Sequence, residues 1–268
     1  NAELTEKVTV SQYSLDILNW DDAHIGMKPG EEISSEDTLY AVLLASANEG
    51  SYAVAESTGI NRMNGDYITF IARMNERAKE LGYTGSNWVN PNGLHDEQHY
   101  TTAHDMALIA NAAFNNATVR QVASTLHYDF PATASVPTVR TLTIGHKMLN
   151  PANSQYYEGI IGGKTGYTSL AGNTLVTCAE RNGVRLIAVI LKSSQTHYDD
   201  TKKLLDYGFA VAGSASGTPA GTNTSVSDAA NNGTSNSSKP SGNTTSTNTS
   251  SSGSQGGPGS TGAGHTAA

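Results

Sequence analysis

The run IIGGKTGYTSLAGN, residues 160–173, sets one lysine, Lys164, among four glycines and three threonine or serine hydroxyls. A lysine so placed can hold a carboxylate or tune a neighbouring hydroxyl. Thr165 and Thr168 can donate hydrogen bonds to the same anion, and Gly163 and Gly166 let the backbone come close to a ligand. Taken alone, Lys-Thr-Gly equally describes a glycine-rich hairpin with an exposed lysine. A second polar pair stands far upstream. LLASANEGS puts Ser46 and Asn48 just beyond an apolar run. Ser-x-Asn in a loop presents a hydroxyl and an amide to one side, a pair able to relay a proton and orient a neighbour. Taken alone, it reads as the stop of one helix and the N-cap of the next. The two motifs in one chain make a far rarer coincidence than either.

Other reactive residues fit poorly together. His95, Asp96, His99 and His104 in HDEQHYTTAH have the composition of a metal site. His95 and His99 share a face only on a helix, and Pro91, Gly93 and Thr102 point to a loop. No metal and no cofactor is assigned. Tyr156, Tyr157 and Glu158 lead into the lysine run, to line a cleft or to pack. Cys178, the one cysteine, reads as a small buried hydrophobe. Trp20 and Trp88 read as packing residues.

Ser34 and Asp37 make a capping box before LYAVLLA, which predicts a helix over about 36–45. Ile71, Met74, Ala78 and Leu81 recur at three- and four-residue spacing, so 66–81 reads as an amphipathic helix stopped by Gly82. Thr102 with Asp105 caps another, to about Phe114. After Gly159 the period changes. NTLVTCAE and VRLIAVILK are β-rich runs joined by RNG, a hairpin signal. Asp199–Ala210, with Leu204, Leu205, Tyr207 and Phe209, closes as a helix. A helical block, then strands, then a helix predicts an α/β fold of the α+β type: an antiparallel sheet with helices packed around it.

Composition breaks near residue 212. Residues 212–268 are almost entirely Gly, Ser, Thr, Asn, Ala and Pro, too poor in apolar surface to offset the entropy of folding. They read as a disordered linker or stalk, and 1–211 as the folded domain. A formal net charge of −8 argues against nucleic acid as partner. No apolar run approaches the ~20 residues of a membrane helix. The opening NAELTEKVTV has no signal-peptide character, so an export signal, if there is one, lies outside this sequence.

Ser-x-Asn and Lys-Thr-Gly are two of the three motifs of the penicillin-binding and serine β-lactamase superfamily, whose third is S-x-x-K. The resemblance is wider than the motifs. EKVTVSQYSLDILNWDDAHIGMKPGEEISSEDTLYAVLLASANEGSYAVAE, MNERAKELGYTGSNWVNPNGLHDEQHYTTAHDMALIA and YYEGIIGGKTGYTSLAGNTLVTCAERNGVRLIAVIL all resemble the D-alanyl-D-alanine carboxypeptidases, the low-molecular-weight penicillin-binding proteins. The likeness runs in order over most of residues 3–211. It implies a β-lactamase/transpeptidase-like fold and a serine hydrolase that removes the terminal D-alanine from peptidoglycan stem peptides. It also implies β-lactam binding, an extracytoplasmic place in a bacterium, no metal and a monomeric state. Carried over, Ser46 passes a proton toward the leaving amine and Asn48 orients the substrate. Lys164 supplies positive potential, and Thr165 and Thr168 hold the terminal carboxylate. Gly166 and Tyr167 complete the substrate strand, with the Tyr167 N–H as one oxyanion donor.

One departure is large. No lysine here has a serine three positions before it, so the family's nucleophile and base are absent. The resemblance therefore implies that the nucleophile helix and first strands belong ahead of Asn1, and that this chain is inactive as it stands. The alternative is a non-catalytic relative that binds peptidoglycan or a partner. A β-lactamase shares the motifs, but NPNGL…TTAHDMA and YYEGIIGGKTGYT are much closer to the carboxypeptidases.

Overall fold

The β-rich runs after Gly159 pair as an antiparallel sheet in the order β5–β6–β7, formed by Ile160–Thr168, Gly172–Arg181 and Val184–Ser193. The RNG signal is realised: Asn182 and Gly183 both adopt positive φ, 51° and 77°, between the paired Arg181 and Val184. That is the two-residue turn whose twist suits adjoining strands. The computed structural model describes residues 3–215, and among these β5 and β7 are the sheet's two edges.

Strand alternation gives the sheet two apolar faces. Leu175, Ala179 and Ala188 meet Tyr198 and Leu205 of α7 (His197–Ala215). Val176, Cys178 and Ile187 meet Ala110 and Phe114 of α5 (Ala103–Phe114) and Ala123 of α6 (Ala117–Ser124). Cys178 is fully buried, as expected of a small hydrophobe. The closing helix runs five residues beyond Ala210; the remainder of the stalk lies outside the described residues.

The rest is built around α2 (Ser35–Ala45), whose Tyr40, Ala41 and Leu44 are buried against Val8, Ile33, Val122, Phe130 and Leu142. Val8 and Ile33 come from the paired β1 (Lys7–Thr9) and β2 (Glu32–Ser34). Phe130 and Leu142 come from the hairpin of β3 (His127–Phe130) and β4 (Arg140–Thr143). Ser34 caps α2 by accepting the Asp37 N–H at 3.0 Å. The Asp37 carboxylate takes hydroxyl protons from Ser34 and Tyr128. Tyr128 stacks on Tyr40, which ties β3 to α2. One turn, α1 (Tyr13–Asp16), precedes β2.

The helix expected over 66–81 is α4 (Tyr67–Glu80), with a complete Asp66/Thr69 capping box and Gly82 at φ 89° just past its end. Thr102 caps α5 through the Asp105 N–H at 3.1 Å, while the Asp105 carboxylate takes the Gly85 N–H and the Ser86 hydroxyl. Of α3 (Asn48–Met63) the sequence shows only the start, in the helix stop and new cap at Ser-x-Asn, and not the extent. Its buried side is made of Gly50, Ser51, Ala53, Ala55, Ser57 and Gly59, too small and polar to show an apolar period. Gly59 has a packing reason: a Cβ there would stand 2.0 Å from the Asp66 carbonyl oxygen.

Candidate active site

Lys164 lies in the middle of β5, and the ladder fixes its place by pairing it with Val176. Its ammonium donates to Ser46 Oγ at 2.5 Å and to the Thr165 carbonyl at 2.7 Å. Burial brings its pKa down from 10.5 to about 8. A desolvated ammonium is worth more to an anion than one in water, because there is less solvent to screen it.

The glycines beside Lys164 answer first to the protein's own packing. At Gly163 a Cβ would stand 2.4 Å from the Val176 carbonyl oxygen and 2.5 Å from the His146 ring; at Gly166 it would stand 2.5 Å from Thr174 Oγ1. His146 is buried behind the strand with Nε2 2.8 Å from Thr177 Oγ1. Burial pulls its pKa down to about 4, so it is a neutral spacer near pH 7.

Ser46 arrives from the other side. It is the C-cap of α2, in the left-handed region at φ 56° and ψ 37°. That sharp turn sends the chain almost directly into α3, with Ala47 as N-cap and Asn48 as first residue. Asn48 faces its own wall: its backbone N–H and its amide both donate to the Ala23 carbonyl, at 3.0 and 2.9 Å. Glu49, fully buried, accepts the Ile25 N–H at 2.8 Å and, more loosely, the Met27 N–H at 3.5 Å. The 23–27 segment is thus buttoned to the first turn of α3.

Ser46, Asn48, Lys164, Thr165, Gly166, Tyr167 and Thr168 all line one cleft of about 1030 Å³. Ser46 and Lys164 are in direct contact, while the Asn48 amide donates to the Ala23 carbonyl. Asp21–Ala23, Pro91–Leu94, Lys147, Gln155, His197 and Tyr198 line the cleft as well. These last four escape a motif-based reading, since they come together only through the fold. The ring of His197 lies 4.4 Å from that of Tyr198, and the Lys147 ammonium lies 5.7 Å from the Tyr198 ring.

The remaining candidates fall outside the cleft. His95 and His99 sit on irregular backbone; His99 Nδ1 accepts the Val89 N–H and its ring packs edge-on to Trp88. Tyr157 packs, with its hydroxyl on Asp206 at 2.7 Å and the Arg181 guanidinium over its ring. Trp88 packs as expected. Trp20 does not: it is 94% exposed, because the turn that carries it points away from the core.

A lysine and a serine hydroxyl in contact, beside an edge strand and an open cleft, can bind an anionic peptide end and pass a proton to or from it. The comparisons with known proteins agree in kind. The family model for D-alanyl-D-alanine carboxypeptidases matches residues 1–195. The chain is 29% identical over 210 residues to the D-alanyl-D-alanine carboxypeptidase DacF of Bacillus subtilis, covering 78% of this chain and 50% of that protein. It is 32% identical over 199 residues to DacB2 of Mycobacterium tuberculosis, covering 72% and 64%. The chain thus spans between half and two thirds of the length of these relatives. The crystal structure of the Streptomyces K15 DD-transpeptidase superposes with a TM-score of 0.70 at 28% identity, covering 78% of this chain and 81% of that one. With the fold, both motifs and most of its length matched, the chain belongs to the D-alanyl-D-alanine carboxypeptidase family.

Proposed function

We propose that this chain carries the substrate-holding part of a serine D-Ala-D-Ala carboxypeptidase that trims peptidoglycan stem peptides outside the bacterial cytoplasm. The contact of Lys164 with Ser46 at the wall of the cleft carries the reading. A peptide ending in D-Ala-D-Ala lies along β5, its terminal carboxylate met by Lys164, Thr165 and Thr168. Ser46 gives its hydroxyl proton to the amine of the departing D-alanine, and the Lys164 ammonium that donates to its Oγ replaces that proton. The Asn48 amide, fixed by Ala23, borders the same space and orients the peptide. The Tyr167 N–H is one of the two donors that an oxyanion needs, and loss of one such donor typically costs ~10²–10³ in rate.

The attacking serine of S-x-x-K is not among these 268 residues, nor is its lysine. Without them the carbonyl carbon has no nucleophile, no acyl-enzyme forms, and this chain binds without cutting. Incubation with a fluorescent penicillin, followed by a denaturing gel, tests this directly. No labelled band is expected, while a D-Ala-D-Ala peptide still binds reversibly. A band that disappears in Ser46→Ala would make Ser46 a nucleophile and overturn the inert reading. Failure of the peptide to bind would overturn the substrate.

A further inference from the structure

Among the described residues, Trp20 is the most exposed large hydrophobic, at 94%. It is not on a loose segment. Asn19–Asp22 is a tight turn: the Asp22 N–H donates to the Asn19 carbonyl at 3.1 Å. The Asn19 N–H and side-chain amide both donate to Asp22 Oδ2, at 2.8 and 3.3 Å. Trp20 and Asp21 are the two corner residues. One residue beyond the turn, Ala23 is clamped by both bonds from Asn48. Asp21, Asp22 and Ala23 themselves line the cleft. The corner that carries the indole is therefore braced, and the residues that follow it in the chain line the cleft. Covering an indole releases free energy, so this one offers a contact to whatever ligand extends out of the cleft.

We infer that Trp20 is a stacking platform for a pyranose ring of the N-acetylated amino-sugar chain that carries the stem peptide. The identity of that sugar rests on the peptidoglycan reading above. An indole face is electron-rich and takes the axial C–H bonds on the apolar face of an uncharged pyranose ring. The flanking carboxylates of Asp21 and Asp22 accept protons from hydroxyl and acetamido groups. The same carboxylates repel the anionic surface of a lipid bilayer, which disfavours Trp20 as a membrane anchor. The platform makes the site prefer glycan-bearing peptide over free peptide.

The chain has two tryptophans, hence two indole N–H signals in a ¹⁵N spectrum, and Trp88 serves as the internal control. Three probes are titrated: the tetramer of N-acetylglucosamine, a free pentapeptide ending in D-Ala-D-Ala, and the same pentapeptide on its disaccharide. The tetramer is expected to move the Trp20 signal and leave that of Trp88 in place. The disaccharide form is expected to bind about fivefold to tenfold more tightly than the free peptide, the size of one aromatic contact. Trp20→Ala is expected to erase that preference, keep the affinity for free peptide, and unfold at the wild-type temperature. Trp20→Phe is expected to keep part of the preference. Equal affinity for the two peptides, an unmoved Trp20 signal, or a response to anionic vesicles in place of the sugar would overturn the platform. A tetramer that binds through Trp20 while neither peptide binds would leave the platform standing and overturn the peptide reading alone.

Discussion

The two walls of the cleft are built by different means. The Lys164 wall is a strand in a long regular ladder, with paired residues from Gly162 to Thr168 and no room for side chains at Gly163 or Gly166. The Ser46 wall is a left-handed corner between two helices, braced by hydrogen bonds that Asn48 donates to, and Glu49 accepts from, an irregular segment. A ladder places a side chain to within a fraction of an ångström because every neighbour repeats the constraint. A corner relies on a few bonds, each of which can be removed singly. The strand wall should therefore fail through backbone clash and lost charge, and the corner wall through loss of one acceptor or one hydroxyl.

The largest effect is expected at Lys164. Lys164→Met removes the ammonium, and affinity for a D-Ala-D-Ala peptide should fall about 100-fold by calorimetry, the scale of a charged hydrogen bond. Stability should not fall with it, since a desolvated cation has gone. A Met variant that binds normally would dissolve the strand wall's claim to the site. The pH dependence sharpens the point. With a folded pKa of about 8 against 10.5 for the free side chain, the unfolded chain holds the proton through that window. Folding stability should therefore rise between pH 8 and 10.5. Anion affinity should be flat below about pH 7 and fall above pH 8, as the free site loses its charge.

Gly163→Ala comes next. The added carbon meets the Val176 carbonyl oxygen, which the ladder holds, and the buried His146 ring. Urea unfolding should show a loss of about 3 kcal/mol, the upper part of the range for overpacking. A near-neutral result would mean that the strand can bow away from β6. On the corner wall, Glu49→Ala leaves the Ile25 N–H without its acceptor and should lose about 2 kcal/mol. Glu49→Gln retains an oxygen there and should lose less than half of that. Equal losses would show that the charge matters and the bracing does not.

The strand wall was also the legible one. Alternation, the RNG turn and the change of period after Gly159 placed β6, β7 and α7, since each signal is local and each bond follows from it. Residues at the corner were readable as motifs and unreadable as structure. Ser46 and Asn48 announced a helix stop, but α3 buries small and polar residues, so no apolar period marked it. Lys147, Gln155, His197 and Tyr198 come from two distant segments and meet only through packing. Trp20 misled for a related reason. Composition ranks tryptophan as a core residue, whereas the Asn19–Asp22 turn decides which way the indole points.

The smallest effect expected is also the most diagnostic. Ser46 holds a left-handed conformation that a β-carbon disfavours by roughly 1 kcal/mol, and helix ends usually place glycine or asparagine there. Ser46→Gly should therefore raise stability by about 1 kcal/mol while weakening peptide binding, because Lys164 loses its hydroxyl partner. Ser46→Ala should weaken binding as much without the gain, since alanine keeps the strained corner. If both variants bind as the parent does, the hydroxyl is dispensable and the corner is only a joint between helices. If glycine stabilises and both variants lose affinity, the strain of the corner is held in place by the hydroxyl it presents to Lys164. The irregular wall would then be maintained for its chemistry against its own stability, which the regular wall never has to be.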